Sequence, residues 1–106
     1  MAKGIDGVSH RTAIRSKGHT VAVLGSGIDY PYPPMNEDLY YVLKNELVLS
    51  EYPGSTPPRK DHFPKRNRII AGLSQKLLVT EADLKSGTMI TVAFALEQGK
   101  DVFAVP

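Results

Sequence analysis

The residues best suited to chemistry in this chain form one basic segment that carries an aromatic ring. Five of the thirteen lysines and arginines lie between residues 59 and 68, opposed by a single aspartate, with Phe63 among them. The five are Arg59, Lys60, Lys65, Arg66 and Arg68. Cations attract phosphates, and an aromatic ring stacks on any base because every base has a π face. The segment therefore has the minimum set of groups for binding a single nucleic-acid strand without reading its sequence.

A structural role for the same segment stays open. Phe63 could pack under a helix as part of the core, with the cations forming a solvated face around it. Arg68, which precedes two isoleucines, could pair with Glu51 or Glu81. Only the surroundings of these side chains distinguish a binding surface from an ordinary helix face.

Two short turns are further candidates for holding a phosphate. Gly25, Ser26 and Gly27 follow an apolar run, and Ser86 and Gly87 stand where a helix is expected to begin. In open parallel sheets, glycine turns and helix N-termini at strand ends offer backbone N–H groups to anions. The first turn lacks the third glycine of the dinucleotide fingerprint, so a tight turn without a ligand is the alternative. An ordinary helix cap is the alternative for the second turn.

The remaining polar residues give no catalytic or metal-binding set. The carboxylates that could act as acid or base have no diagnostic spacing, and the three histidines are scattered along the chain. Zero cysteines exclude a disulfide framework, a zinc-thiolate site and a thiol nucleophile. We therefore predict no catalytic residue, no metal and no cofactor. The residues considered are Asp6, Asp29, Glu51, Glu81, His10, His19 and His62.

Length and composition predict one cytoplasmic domain over residues 1–106. A chain of 106 residues can bury a sufficient core without disulfides or metals. Its longest apolar stretches fall short of the roughly 18 to 20 residues that span a bilayer, and its first twenty residues are polar and do not resemble a signal peptide. A net charge of +2 is too small to indicate an anionic partner by itself, so the local basic segment carries the electrostatic argument.

Helix and strand patterns alternate along the chain. The first helix is expected to end at Lys17-Gly18, the third to begin at Pro64, and the fourth to end at Gly99. In the third helix we expect Ile69, Ile70 and Leu73 to face the core, and in the fourth Ile90, Val92, Ala93 and Leu96 follow mixed helical spacing. The expected helices cover residues 4–16, 36–44, 64–73 and 89–98, and the expected strands cover 20–24, 47–50, 77–80 and 102–105.

This alternation predicts an α/β fold of the Rossmann-like kind. Single helices between short apolar strands imply βαβ crossovers, an open and mostly parallel sheet, and helices on both faces. The apolar run at 20–24 favours a strand that is buried on both faces, and the run at 77–80 favours a buried strand. The chain has four expected strands and opens on a helix that no strand precedes, so we expect an incomplete sheet and a fragment of a longer protein.

Four segments, in order, closely resemble the DNA-processing protein A family, DprA or Smf. They are MAKGIDGVSH, VAVLGSGIDYPYPPMN, LSEYPGSTPPRKDHFPKRNRIIAGLS and VTEADLKSGTMITVAFALEQGKDVFAVP. The resemblance implies an extended Rossmann fold and a protein that is not an enzyme. It also implies binding of the single-stranded DNA that arrives in competent cells during natural transformation. Protection of that DNA from nucleases, loading of the RecA recombinase and homodimer formation are further implications.

The resemblance also implies which residues bind DNA. Phe63 would stack on a base, Lys65 and Arg66 would hold phosphates, and Asn67 would bond sugar, base or its own loop. Asn67 and Arg68 could instead organise the site from within. The matching positions are Gly25, Ser26, Gly27, Phe63, Lys65, Arg66, Asn67, Arg68, Ser86 and Gly87.

The chain departs from the family in its extent, which leaves other functions open. Full-length members have an N-terminal helical domain and a first strand before the position of Met1, and further residues after Pro106 that complete the dimer surface. We therefore expect part of the DNA site to be missing. The alternative function is a nucleotide-binding Rossmann-type enzyme, such as a phosphoribohydrolase, with Glu81 as acid or base. A remnant that folds poorly is a third possibility.

Overall fold

The computed structural model describes residues 5–30, 37–80 and 87–106 of the chain. Helices and strands alternate along these residues in the predicted order, and each predicted element is present with shifts of only a few residues at its ends. The elements are α1 (Ile5–Arg15), β1 (Val21–Val23), α2 (Glu37–Leu43), β2 (Leu47–Leu49), α3 (His62–Leu73), β3 (Lys76–Val79), α4 (Gly87–Glu97) and β4 (Asp101–Ala104).

The strands form two parallel pairs. β1 pairs with β2, and Val21 lies opposite Leu47; β3 pairs with β4, and Leu78 lies opposite Phe103. Neighbouring parallel strands need a crossover between them, which α2 and α4 provide in the two pairs. The chain forms two compact units, Met1–Arg59 and Lys60–Pro106. The predicted α/β class with parallel strands is confirmed.

The first unit has a small core of aliphatic side chains and one tyrosine. Ile14 of α1 and Val48 of β2 pack against this core, so all four elements of the unit contribute to it. Burying a side chain of leucine size stabilises a fold by roughly 1.5–3 kcal/mol. The predicted burial of the first strand is confirmed from Ala22 through Leu24. The core residues are Ala22, Leu24, Leu39, Tyr40 and Leu43.

In the second unit, α3 packs against α4, and α4 packs against both β3 and β4. Burial alternates along β3 between exposed and half-buried residues, and Leu78 is 62% exposed, so the prediction of a buried strand is wrong. Successive side chains of a strand point to opposite faces. Leu77 and Val79 therefore share the half-buried face, and Leu78 points to the other one.

Two helical leucines are also more exposed than their spacing predicts. Leu73 is 61% exposed, so its predicted place in the core is wrong; it is the last residue of α3, and no following turn extends the packed face. Leu96 of α4 is equally exposed at 61%. The buried residues of α4 are instead Thr91 and Ala95, which lie four residues apart on one face of the helix.

Helix α3 begins two residues earlier than predicted. Its first residue is His62, so Pro64 is the third helical residue and not the first. The first four N–H groups of a helix have no partner within it, which is why a proline in the first turn removes no hydrogen bond. The helix can therefore include Pro64 and start closer to the loop before it.

Helices α1 and α4 end in the same backbone geometry with different residues. In α4 the left-handed position is Gly99 (φ 74°), as predicted, and the N–H groups of Gly99 and Lys100 donate to the carbonyls of Leu96 and Ala95. In α1 the equivalent bonds run from residues 17 and 18 to residues 14 and 13. The left-handed residue there is Lys17 (φ 59°), so the prediction that Gly18 ends this helix is off by one residue.

Exchanging residues at these two positions should change stability in opposite directions. Lys17→Gly should raise the free energy of unfolding by about 1 kcal/mol, because glycine has no Cβ to strain a left-handed backbone. Gly99→Ala should lower it by about the same amount. Urea unfolding followed by circular dichroism measures both. Lys17→Ala is the control, because it removes the charge and keeps the strain, and it should leave stability nearly unchanged.

His10 makes the first unit sensitive to mild acid. It lies on α1 with its Nδ1 atom 2.7 Å from the hydroxyl oxygen of Thr20. Burial lowers the pKa of His10 below its ordinary 6.5. The fold therefore favours the neutral imidazole. Its contribution to stability is complete above pH 6.5 and is lost as the pH falls through the folded-state pKa.

Replacing His10 should flatten the pH dependence of stability. The free energy of unfolding of the wild-type chain should fall between about pH 7.5 and pH 5, whereas His10→Gln should lose most of this slope. Urea unfolding at several pH values measures the slope. His19→Gln is the comparison for loss of an exposed histidine, whose Nδ1 atom lies 3.5 Å from Oε2 of Glu46. An unchanged slope in His10→Gln would assign the pH dependence to other groups.

Candidate nucleic-acid interface

Helix α3 places the cations of the basic segment on two different faces. Lys65 and Arg68, three residues apart, are both exposed. His62 and Arg66, four residues apart, are both 8% exposed. Residues at these spacings share one face of a helix. Of the two predicted phosphate ligands, Lys65 is therefore exposed and Arg66 is buried.

Four of the predicted site residues form a continuous set of contacts in the second unit. The guanidinium carbon of Arg66 lies 5.6 Å from the centroid of the Phe63 ring. The Nε–H of Arg66 donates to Oδ1 of Asn67 at 3.1 Å, and Nδ2 of Asn67 donates to the carbonyl of Gly87 at 3.3 Å. The contacts join the first turns of α3 to the first residue of α4.

These contacts hold two groups that can face a nucleotide. Phe63 is half-buried, and the cation near its ring adds an attraction of about 0.5–2 kcal/mol. The amide of Asn67 has its oxygen and its nitrogen engaged by different partners, which fixes its orientation. The aromatic ring and the amide thus have defined positions beside the exposed cations of α3.

The other end of α3 is tied to the end of α4. The ammonium group of Lys100 donates to the carbonyl of Gly72 at 3.3 Å, and Nε2 of Gln98 donates to the carbonyl of Arg68 at 3.5 Å. The last four carbonyls of a helix have no partner within it, and the carbonyl of Gly72 is one of them, so the Lys100 ammonium group satisfies it. Helix α3 is thereby connected to α4 and its following turn at both ends.

The glycine turn after β1 is buried and is fixed by the loop that follows β2. Gly25, Ser26 and Gly27 are all buried, and the N–H of Gly27 donates to the carbonyl of Thr56 at 2.8 Å. A Cβ atom on Gly27 would lie 2.1 Å from the carbonyl oxygen of Pro53, a distance that no real Cβ contact shows. Glycine is therefore required here by the close approach of two backbone segments.

Ser50 is a positioning residue that the sequence analysis missed. Its hydroxyl donates to the carbonyl of Ser26 at 2.6 Å and accepts a hydrogen bond from the N–H of Tyr52 at 3.1 Å. The hydroxyl of Tyr40 donates to the carbonyl of Ile28 on the same turn. A serine directly after a strand, two residues before the N–H it accepts, is a turn signal that could have identified this role.

The predicted site residues fall into three groups. Gly25, Ser26 and Gly27 belong to the first unit, and the five residues 63 and 65–68 belong to the second together with Gly87. Ser86 and Glu81 lie outside the described residues. Within residues 5–30, 37–80 and 87–106, no cluster of three or more potential metal ligands occurs. The helices in those ranges include none that is long and apolar enough to cross a membrane.

The sequence has close relatives along its whole length. All 106 residues match the family described as DNA recombination-mediator protein A. The DNA processing protein DprA of Streptococcus pneumoniae is 50% identical, DprA of Bacillus subtilis 49%, and Smf of Escherichia coli 45%, each over 100% of this chain. The chain spans 38%, 36% and 29% of the length of these three proteins.

Solved structures agree with this relationship. DprA of Streptococcus pneumoniae superposes on 99% of the chain with a TM-score of 0.94 and 49% identity, and the match covers 38% of that protein. DprA of Helicobacter pylori, described for its single-stranded DNA binding mode, superposes on 99% with a TM-score of 0.89 and 32% identity, covering 48% of that protein. The fold is therefore the Rossmann-like fold of these proteins, as predicted. The chain belongs to the DNA recombination-mediator protein A family, the DprA or Smf proteins.

Proposed function

We propose that this chain binds single-stranded DNA without base specificity through the N-terminal half of α3 and the start of α4. Family membership supports the proposal, as does the single-stranded DNA binding of the Helicobacter pylori relative at 32% identity. The observation that carries it is the arrangement of α3. Two exposed cations lie on a helix whose first turn also bears a half-buried aromatic ring with a fixed neighbour.

Each group on this surface has a role that suits a nucleotide strand. Lys65 and Arg68 attract phosphates, since both are exposed and both carry a positive charge. The exposed part of the Phe63 ring stacks on a base. Asn67 is half-buried, and its two internal hydrogen bonds use one lone pair of Oδ1 and one N–H of Nδ2. The second lone pair and the second N–H bond a sugar or a base edge. Phosphate attraction and stacking depend little on base identity, so binding follows without sequence preference.

Two glycine turns, one in each unit, are further proposed contacts for phosphates. Gly87 is exposed at the first position of α4, where backbone N–H groups are unpaired within the helix and favour an anion. Ser86 precedes it in the sequence. In the first unit, Gly25, Ser26 and Gly27 form the turn that follows β1, at the carboxyl end of a parallel strand, where ligands collect in such folds. The N–H of Gly27 is already bonded to Thr56, so its role is to allow close packing of the turn.

We also propose a wider role in recombination. The family description names a recombination mediator, a protein that helps a recombinase act on DNA. The chain accordingly takes part in protecting incoming single strands during natural transformation and in loading the RecA recombinase on them, as a homodimer in the cytoplasm. The chain spans only 38% of the length of its Streptococcus pneumoniae relative. We therefore propose that these activities require more than the surface of α3.

Substitutions on α3 should separate the charge contribution from the stacking contribution. Lys65→Ala and Arg68→Ala should each weaken binding to oligothymidine and reduce the slope of log affinity against log salt by about 0.7. Phe63→Ala should cost about 1–3 kcal/mol and leave the slope unchanged. Fluorescence anisotropy of a labelled oligothymidine, at salt concentrations from about 50 to 200 mM, measures all three.

Lys76→Ala is the matched control for lost charge. Lys76 is exposed at the first residue of β3, the opposite end of the strand from the proposed surface. The Lys76→Ala variant should bind oligothymidine with the affinity of the wild-type chain at low and high salt. The proposal is wrong if a folded wild-type chain does not bind, or if Lys76→Ala loses as much affinity as Lys65→Ala.

The proposed RecA function has its own test. On oligothymidine covered by a single-strand binding protein, addition of the chain should shorten the lag before RecA hydrolyses ATP, because a mediator speeds the start of filament growth. The triple variant Phe63→Ala/Lys65→Ala/Arg68→Ala should restore the full lag. An unchanged lag with the wild-type chain would show that this region alone does not load RecA.

A further inference from the structure

We propose that Arg66 is a positioning residue for Phe63 and Asn67 and not a phosphate ligand, so that it acts on DNA through the base contact. This assignment rests on the proposed function and deepens it. It changes the role that sequence alone gave to Arg66. It also divides the basic segment into residues that neutralise phosphates and a residue that orders the stacking ring.

The charge of Arg66 lies away from solvent. Arg66 is 8% exposed, whereas its neighbour Lys65 and Arg68 on the same helix are exposed. A cation gains affinity for DNA by displacing counterions from phosphates, which requires that the phosphate can approach it. A guanidinium that is already removed from water offers little surface for that approach. Burial alone therefore separates Arg66 from the two other cations of α3.

The guanidinium of Arg66 contacts both Phe63 and Asn67. Its carbon lies 5.6 Å from the centroid of the Phe63 ring, within the range of a cation–π attraction. Its Nε–H donates to Asn67, whose amide nitrogen donates to the carbonyl of Gly87. One side chain thus contacts the ring that stacks and the amide that reaches the start of α4. A planar guanidinium can hold a ring and a hydrogen-bond acceptor together in a way that an ammonium group cannot.

The consequence is a pattern of effects that a phosphate ligand would not give. Loss of Arg66 removes one contact from the ring of Phe63 and one hydrogen bond from the amide of Asn67, so more of their ordering must occur when the strand binds. The decrease in DNA affinity should therefore depend on the presence of bases and should not change with salt concentration. A phosphate ligand has the opposite behaviour, because its contribution changes with salt and is independent of the base.

The experiment compares two oligonucleotides of equal length, oligothymidine and an oligomer of abasic sites, in anisotropy titrations over a range of salt. The variants are Arg66→Met, which removes the charge and keeps a long side chain, and Arg66→Lys, which keeps the charge and loses the Nε–H donor. Lys65→Ala is the comparison for a phosphate ligand. Circular dichroism and urea unfolding establish that each variant is folded.

For Arg66→Met we expect about tenfold weaker binding to oligothymidine, less than about twofold weaker binding to the abasic oligomer, and an unchanged salt slope. Arg66→Lys should stay below wild-type affinity for oligothymidine, since the bond to Asn67 is lost. The proposal is overturned if Arg66→Met lowers the salt slope as much as Lys65→Ala does. Equal losses on both oligomers, or full rescue by Arg66→Lys, would also overturn it.

A measurement without DNA distinguishes failure of this assignment from failure of the proposed function. In the free wild-type chain, the ring of Phe63 should shift the Arg66 side-chain protons upfield in the proton NMR spectrum, and Phe63→Leu should remove that shift. A normal chemical shift in the wild type would refute the positioning role even if DNA binds. Absence of binding to oligothymidine, with the upfield shift present, would refute the proposed function and leave the contact itself established.

Discussion

The burial of Arg66 is the constraint around which the start of α3 is arranged. A guanidinium taken out of water loses hydration that its surroundings must replace, and an unpaired buried charge would cost several kcal/mol. The ring of Phe63 and the amide of Asn67 supply part of this compensation. Because Asn67 also reaches Gly87, the compensation links two helices and not only adjacent residues of one. The relative position of the first turns of α3 and α4 thus depends on a charge that never reaches the surface.

The first unit meets a comparable requirement with neutral groups. The turn after β1 is buried, and buried backbone groups need hydrogen-bond partners. Thr56, Ser50 and Tyr40 supply them, from the loop after β2, from the end of that strand and from α2. Both units therefore use contacts between distant segments of sequence to hold a short turn or helix start at the end of a strand.

Local patterns allowed prediction of the elements but not of their surroundings. The order of helices and strands follows from apolar periodicity, which lies within each segment. The exposure of Leu78 could not be predicted in this way, because an apolar run has the same sequence pattern whether one or both faces of the strand are covered. Lys17, and not Gly18, has the left-handed backbone, because the N–H groups of residues 17 and 18 bond the last carbonyls of α1 in that conformation. The burial of Arg66 had a detectable signal, since Ile69 and Ile70 share its helix face at the spacings three and four.

The contact between Gly27 and the backbone of Pro53 makes two stretches of the chain tolerate change only together. A single methyl group at residue 27 would already lie 2.1 Å from the opposing carbonyl oxygen, so every residue other than glycine meets this conflict. Variation at residue 27 requires the 53–56 loop to move outward, and the bond from the Gly27 N–H to Thr56 is then lost. Substitutions in the 53–56 loop are limited in turn by the same close approach. The two segments therefore restrict each other's substitutions, although residues 27 and 53 lie twenty-six positions apart in the sequence.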